Sequence, residues 1–258
     1  MGQVRRAFKT RLLIFLWSSL AILTFCARAM AEGGPPLIGD DPGTPGNGHW
    51  EINVAYIGLR TPRQSTVETP HVDLNYGWGD HIQLKYEVGY LTGKEEGQQV
   101  TSGVNNSLFG VKWRFLDEET NGVDMSTYPQ VGVNTSHSLG RAGVIDMGTD
   151  VYVPLELAKT FGKWELDAEE GYQFSDVEHN QFVGGFIVGY KLTEKLELLG
   201  EVRTTVDDNF RRTDVVLDGG ARFAMNDNVA IIAAMGRSIR SDNESTSLYA
   251  YAGFRVTF

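Results

Sequence analysis

The sequence predicts an all-β chain folded as a closed antiparallel transmembrane β-barrel of about twelve strands. Three observations predict it. Apolar and polar residues alternate with a period of two over most of the chain. The connections between the alternating stretches are short and polar. The chain ends in Phe258, with apolar residues at alternate positions before it.

The alternation is clearest in residues 81–90, where every even position is apolar or aromatic and every odd one is polar or Gly. A period of two gives a strand one apolar and one polar face. The same pattern sets Trp164, Leu166 and Ala168 against Glu165, Asp167 and Glu169. It also sets Leu196, Leu198, Gly200 and Val202 against Lys195, Glu197, Glu201 and Arg203. Such stretches run over 48–60, 67–78, 81–91, 103–116, 126–138, 148–160, 163–175, 179–191, 195–207, 211–224, 228–240 and 246–258. They are long for a globular sheet, where about 5–6 residues is usual. They suit a tilted bilayer crossing, which takes about 9–11 residues.

A soluble β-sandwich or lipocalin-like barrel also alternates, with its apolar face inward. The polar face here carries too many charges to be a solvent-facing accident of such a fold. Lys85, Glu87, Lys112, Arg114, Glu165, Asp167 and Glu169 lie on it, with Glu197, Glu201, Arg203, Asp218, Arg222 and Arg255. These are the expected lumen-lining residues, and Leu84, Leu166 and Leu198 are expected to face lipid.

The start of the chain predicts export. Arg5, Arg6, Lys9 and Arg11 precede an apolar run from Leu12 to Cys26, and Ala29-Met30-Ala31 follows. This is the order of a cleavable signal peptide over residues 1–31. The run is shorter than the roughly 20 residues a spanning helix needs. Phe25 before Cys26 is too large for a lipoprotein site. Cys26 is the only cysteine, so the mature chain would have no disulfide or thiolate metal site. Cleavage removes five of the 23 basic residues and no acidic one, leaving a net charge near −15. Such a surface argues against nucleic acid, which needs a basic footprint. Residues 32–47, rich in Gly and Pro, read as either a disordered periplasmic tail or an inward plug.

Twelve strands place both termini on the periplasmic side. Every second connection is then a periplasmic turn, which is short in such barrels. The turns at 77–80, 161–163, 192–195 and 225–228 are short, and only 117–125 is longer. The opposite connections, such as 92–102, 138–148, 207–212 and 241–245, are polar and none is long. Trp50, Trp78, Trp113, Phe115, Trp164, Tyr190, Phe223 and Phe258 gather at the periplasmic ends. They read as the aromatic girdle at a membrane interface. In the last strand, Phe254, Val256 and Phe258 form the pattern read by the barrel assembly machinery. This strand must also pair with the first, because a free edge cannot lie in lipid.

Several motifs resemble a family of outer-membrane transporters labelled for a phenol-degradation (MetA-type) pathway. They are Asp41-Pro42-Gly43-Thr44-Pro45-Gly46 with Gly48-His49-Trp50-Glu51-Ile52-Asn53, and Asp73-Leu74-Asn75-Tyr76-Gly77-Trp78-Gly79-Asp80 with Gln83-Leu84-Lys85-Tyr86-Glu87. Further on come Phe109-Gly110-Val111-Lys112-Trp113-Arg114-Phe115-Leu116, Leu157 to Trp164, and Gly189 to Leu198. The resemblance implies a barrel and uptake of small organic, including aromatic, compounds. These motifs lie mostly at turns, so they describe the scaffold more than the chemistry.

No catalytic or cofactor motif is legible. His49, His71, His81, His137 and His179 show no metal-ligand spacing. Ser136 and His137 are adjacent, so as strand residues they would face opposite ways and could not converge on a substrate. Gly184-Gly185 and Gly219-Gly220 read as strand kinks or close packing. The inward charges are the functional lead. Arg114, Arg203, Arg222 and Arg255 are expected to oppose the acidic ladder Glu165, Asp167 and Glu169. Two readings stand: a porin-like channel or transporter for small organic solutes, or a closed, side-chain-filled structural or sensing barrel. An outer-membrane hydrolase is the weaker third. The partners expected are outer-membrane lipid, small solutes and the barrel assembly machinery.

Overall fold

The computed structural model describes residues 34–242 and 246–258, and the predicted signal peptide lies outside them. The strands are β1 (Trp50–Arg60), β2 (Gln64–Gly77), β3 (Ile82–Glu95), β4 (Thr101–Val104), β5 (Ser107–Leu116), β6 (Asp124–Thr127) and β7 (Gln130–Val133). They continue as β8 (Thr149–Phe161), β9 (Trp164–Ser175), β10 (Gln181–Lys191), β11 (Leu196–Asp207), β12 (Thr213–Ala224), β13 (Val229–Ser241) and β14 (Leu248–Thr257). Two short helices, α1 (Glu118–Asn121) and α2 (His137–Arg141), lie in connections. No described helix is long and apolar enough to cross a membrane; the crossing is made by strands.

All the strands join one antiparallel sheet, in which β4 and β5 both pair with β3, and β6 and β7 both lie between β5 and β8. β4 with β5, and β6 with β7, are two halves of single barrel strands, so the segments form a twelve-stranded barrel. The breaks have local causes. Pro129 has no N–H to give to a ladder, although its carbonyl still accepts from Val111 N at 3.0 Å. At the other break Asn105 folds its side chain onto the Asn106 N–H.

The ring closes where β14 pairs with β1, in register from Glu51↔Thr257 to Arg60↔Leu248. Trp50 and Phe258 exchange both backbone hydrogen bonds at the end of this seam. Every backbone edge is thereby paired across the closure, as hydrocarbon demands.

Strand faces follow the pleat. Phe186 on the outer face is 50% exposed in the isolated chain, whereas Asp167 on the inner face is 2% exposed. β2 starts three residues earlier than its alternation predicts. The cause is a bulge: Thr69 and Pro70 together oppose Tyr56 on β1 and Tyr90 on β3. A proline inside a strand is tolerated at such a bulge, and the extra residue shifts the alternation by one.

Both termini of the barrel and the turns at 78–81, 117–123, 162–163, 192–195 and 225–228 lie at one rim, here called the near rim. α1 occupies the longest of these, with Asp117 accepting from Glu119 N at 3.0 Å. The other six connections form the far rim. Here the structure corrects the expected strand 126–138: pairing ends at Val133, and residues 134–148 form a long connection containing α2. It also corrects the expectation that no far-rim connection is long. This loop turns inward. Leu139 and Val144 are buried against Leu91, which is on the inner face of β3, and Gln64 Nε2 donates to Val144 O at 2.9 Å.

Candidate functional site

The lumen begins as a set of inward side chains whose positions follow from strand parity. Lys85, Glu87, Lys112, Arg114, Glu165, Asp167, Glu169, Glu197, Glu201, Arg203, Asp218, Arg222 and Arg255 all lie on the inner face, buried or half-buried. Their partners differ from the simple opposition of acidic ladder and arginines.

Several groups of contacts form among the described residues. Lys85 Nζ lies 3.4 Å from Asp73 and 3.1 Å from Glu87, while His71 bridges Glu68 and Glu87. Arg255 Nε lies 3.4 Å from Glu51 and donates to Asn53 Oδ1. Arg203 Nη1 meets Glu169 at 2.9 Å, and the Tyr152 hydroxyl donates to the same oxygen. Arg222 Nη1 meets Glu197 at 3.1 Å. Arg114 is held at the near rim by Asp117 and the Asp80 carbonyl. Of the four arginines expected to oppose the acidic ladder, Arg203 pairs with its Glu169, while Arg222, Arg255 and Arg114 form ion pairs with Glu197, Glu51 and Asp117. Glu165 and Asp167 are each 2% exposed, and none of their four carboxylate oxygens has a hydrogen-bond partner among the described residues.

The N-terminal segment Gly34–Gly48 threads the lumen as a strap. Between the two readings of residues 32–47, the described part takes the inward one. Arg222 Nε and Arg255 Nη2 donate to Pro35 O, and Tyr249 Oη donates to Pro36 O. Across the lumen, Ile38 N and Gly39 N donate to Glu201, and Asp40 N donates to Glu169. Lys112 Nζ then binds Asp40 at 2.9 Å and the Asp41 carbonyl. The strap leaves at the near rim, where Thr44 Oγ1 donates to Asp80 O and Gly48 N donates to Gly77 O. Two glycines permit the close approach. A Cβ on Gly39 would stand 2.8 Å from Glu201 Oε1, and one on Gly77 would stand 1.8 Å from Gly46 O.

Leu37 anchors the strap in an apolar patch of the inner wall formed by Ala55, Ile187, Leu199, Ile232, Ala234 and Tyr251. Sequence reading missed this patch, yet it leaves a signal. Phe186-Ile187, Leu198-Leu199 and Ile231-Ile232 are apolar doublets where the alternation breaks. One member of each faces lipid and the other faces Leu37. Burying a leucine this way stabilises by about 1.5–3 kcal/mol. Glu156, which is fully buried between Ser126 and Lys112, was also missed although it falls on the inward parity of β8.

The far mouth is divided. The 134–148 loop occupies the β3–β4 side. On the β9–β13 side a polar vestibule of about 550 Å³ opens, lined by Glu178, His179, Asp207, Arg212 and Asp214 among others. Partial burial, together with Asp146, Asp150 and Asp207, raises Glu178 above the ordinary glutamate range. Ser136 and His137, the residues weighed for hydrolysis, begin α2 instead; His137 is exposed and Ser136 Oγ meets Ser138 Oγ. Among the described residues, no three acidic, His or Cys side chains converge to hold a metal ion.

The eight expected girdle residues, Trp50, Trp78, Trp113, Phe115, Trp164, Tyr190, Phe223 and Phe258, all fall at the near rim. A second aromatic group, Tyr172, Phe174, Phe182 and Phe210, stands at the far rim with ring centroids 4.7–5.8 Å apart. Phe254 and Val256 lie on the outer face of β14.

A closed, outward-apolar, inward-charged antiparallel barrel with aromatics at both rims is an outer-membrane β-barrel. The chain belongs to the family described as "Putative MetA-pathway of phenol degradation", which matches residues 33–256. Among curated proteins, none matches it. Among solved structures, it is similar to the COG4313 outer membrane channel from Pseudomonas putida F1. That likeness has a TM-score of 0.71 at 12% identity, over 88% of this chain and 100% of the other. It is also similar to the KdgM porin in complex with disordered oligogalacturonate (TM-score 0.54, 11% identity, 80% of this chain and 99% of the other). The translocator domain of the autotransporter NalP from Neisseria meningitidis scores the same 0.54, at 13% identity over 83% and 89% of the two chains. Porins and a translocator thus share the fold equally, and the function has to be argued from the lumen.

Proposed function

We propose that the protein is a porin-like outer-membrane channel for small organic solutes, with the strap narrowing its bore. The observation that carries this reading is the state of Glu165 and Asp167. A barrel filled only by its own side chains would pair its inward charges, because an isolated buried charge costs several kcal/mol. Here most inward charges are paired, but these two carboxylates have no hydrogen-bond partner among the described residues. They call for water or a passing cation, and therefore for a hydrated path beside the strap. The wall on that path is acidic, with Asp218 standing opposite Glu201 in register. Such a wall favours cationic and neutral solutes over anions. The family description and the similar outer membrane channel support an organic solute small enough for a twelve-strand bore. The absence of a converging nucleophile and base at Ser136 and His137 supports transport over hydrolysis.

The test is single-channel recording of the purified protein in planar bilayers, with and without residues 34–46. The full chain should show discrete conductance steps and the strap-deleted chain larger ones. Silence from both would overturn the channel and favour the filled barrel. In the same reading the signal peptide is cut near Ala31, leaving Glu32 as the first residue, and the near rim faces the periplasm. An intact Met1 on protein recovered from outer membranes would count against that processing.

A further inference from the structure

The lipid-facing wall carries its own candidate site, separate from the lumen. Where β12, β13 and β14 meet near the far rim, a groove of about 470 Å³ runs between Leu217, Gly219, Met235, Gly236 and Leu248, with Arg237 along it. Leu217, Met235 and Leu248 all point outward, at 47%, 64% and 42% exposure. The groove is apolar and opens toward hydrocarbon rather than toward the bore.

Two arginines flank its far-rim end. On β1, Arg60 is the direct cross-strand partner of Leu248. On β13, Met235 is the partner of Ala250, so Arg237, two positions on, stands beside Leu248 from the other side. Arg60, Leu248 and Arg237 therefore form a row on the outer face of three adjacent strands. Two strand spacings separate the arginines by roughly 10 Å, within reach of two long side chains closing on one group. Both are exposed. Among the described residues neither guanidinium has a hydrogen-bond or ion-pair partner. Arg240 and Arg212 at the same rim, by contrast, lie 3.5 Å from Asp242 and 3.9 Å from Asp207, and the inward arginines are all paired.

Height fixes what can meet them. Arg60 is the last residue of β1, which begins at Trp50 in the near-rim girdle. At about 3.3 Å per residue and a tilt near 40°, that separation is roughly 25 Å, the thickness of the apolar band. Arg60 and Arg237 thus sit at the second membrane interface, where phosphates of lipid headgroups lie. With the termini periplasmic, this is the outer leaflet, whose lipid is a phosphorylated glycolipid.

We propose that Arg60 and Arg237 bind a phosphate of an outer-leaflet glycolipid of the lipid A type, one of whose acyl chains lies in the groove of Leu217, Met235 and Leu248. Guanidinium–phosphate contacts are charge-assisted and among the stronger hydrogen bonds. The lipid would cover the β13–β14–β1 wall, which includes the seam that closes the barrel. The site does not depend on whether the lumen conducts.

The test is native mass spectrometry of the full chain in detergent. Bis-phosphorylated lipid A, its dephosphorylated form and phosphatidylglycerol are added in turn. Wild type should hold one bis-phosphorylated lipid A saturably. The double variant R60Q/R237Q should lose about ten-fold in affinity, while R240Q should keep it. Met235→Trp, which leaves both arginines and fills the groove, should also weaken the adduct. Heat-modified gel migration verifies that each variant is a folded barrel. Equal binding by R60Q/R237Q and wild type would overturn the proposal. So would equal binding of the dephosphorylated lipid. Equally tight phosphatidylglycerol would overturn the assignment to the outer-leaflet glycolipid.

Discussion

At the scale of single residues, Asp167 and Glu169 are two positions apart on one inward face and have opposite surroundings. Glu169 holds Arg203, the Tyr152 hydroxyl and the strap at Asp40. Asp167 has no hydrogen-bond partner among the described residues. Glu169→Gln should therefore loosen the strap and lower the denaturant midpoint in lipid vesicles. Asp167→Asn, which removes a buried carboxyl without a partner among the described residues, should leave the midpoint equal or higher and, where the path beside the strap is hydrated, shift the reversal potential toward anions. A lower midpoint for Asp167→Asn would mean that the carboxylate has a structural partner after all. The outer face is tested at Phe186, in the middle of β10, because Leu84, Leu166 and Leu198 lie only two positions from the near-rim ends of their strands. Phe186→Arg should cost about 2–4 kcal/mol, since hydrocarbon at mid-depth cannot solvate a guanidinium. A loss no larger than that of Asp167→Asn would reject the orientation of the faces. Gly39→Val should expel the strap, because its Cβ would press on Glu201, Ile187 and Arg203. Conductance would rise toward that of the strap-deleted chain. Which residues point inward was legible from parity alone. Which of them pair was not, because most partners come from other strands or from the strap, from 25 positions away for Arg222 and Glu197 to 220 for Arg255 and Pro35.

At the scale of elements, the strands were legible and their interruptions only partly so. The bulge at Thr69-Pro70 hid the first turn of β2 by shifting its alternation, though the proline itself was the clue. The connection 134–148 was less legible. Its Ser-His-Ser-Leu stretch keeps a polar–apolar pattern that reads as strand, and nothing local says that Leu139 and Val144 fold inward onto Leu91. That packing makes the loop a fixed partition of the far mouth. Leu139→Asp should release it, seen as faster proteolysis within 134–148 and a wider mouth, with little change in barrel stability. Across the mouth, Glu178 titrates at higher pH than an ordinary glutamate. Its raised value means that it loses charge early as pH falls. The cation preference of conductance should therefore weaken on acidification before unperturbed carboxylates titrate, and Glu178→Gln should remove that early component. The last strand carries a separate expectation. If Phe254, Val256 and Phe258 form the signal read by the assembly machinery, deleting Phe258 should lower the yield of folded barrel in the outer membrane without impairing secretion.

At the scale of the whole molecule, the net charge of the chain, −10 overall, is carried unevenly, with an acidic bore inside an apolar belt. This distribution was readable from composition and alternation together, because a barrel that meets lipid outside has only its lumen and rims in which to place charge. The closure of that barrel has a consequence in time. The seam joins the first strand to the last, and the strap just before the first strand is gripped by side chains of the last: Arg255 and Pro35 are 220 positions apart, Tyr249 and Pro36 are 213 apart. Contacts so distant in sequence form only after the intervening chain has been ordered, since closing long loops costs entropy before it returns any contact energy. The strap and the seam therefore belong to the final moment of folding. The segment that narrows the bore must already be inside the curling sheet when its two edges meet, so the barrel closes around its own beginning.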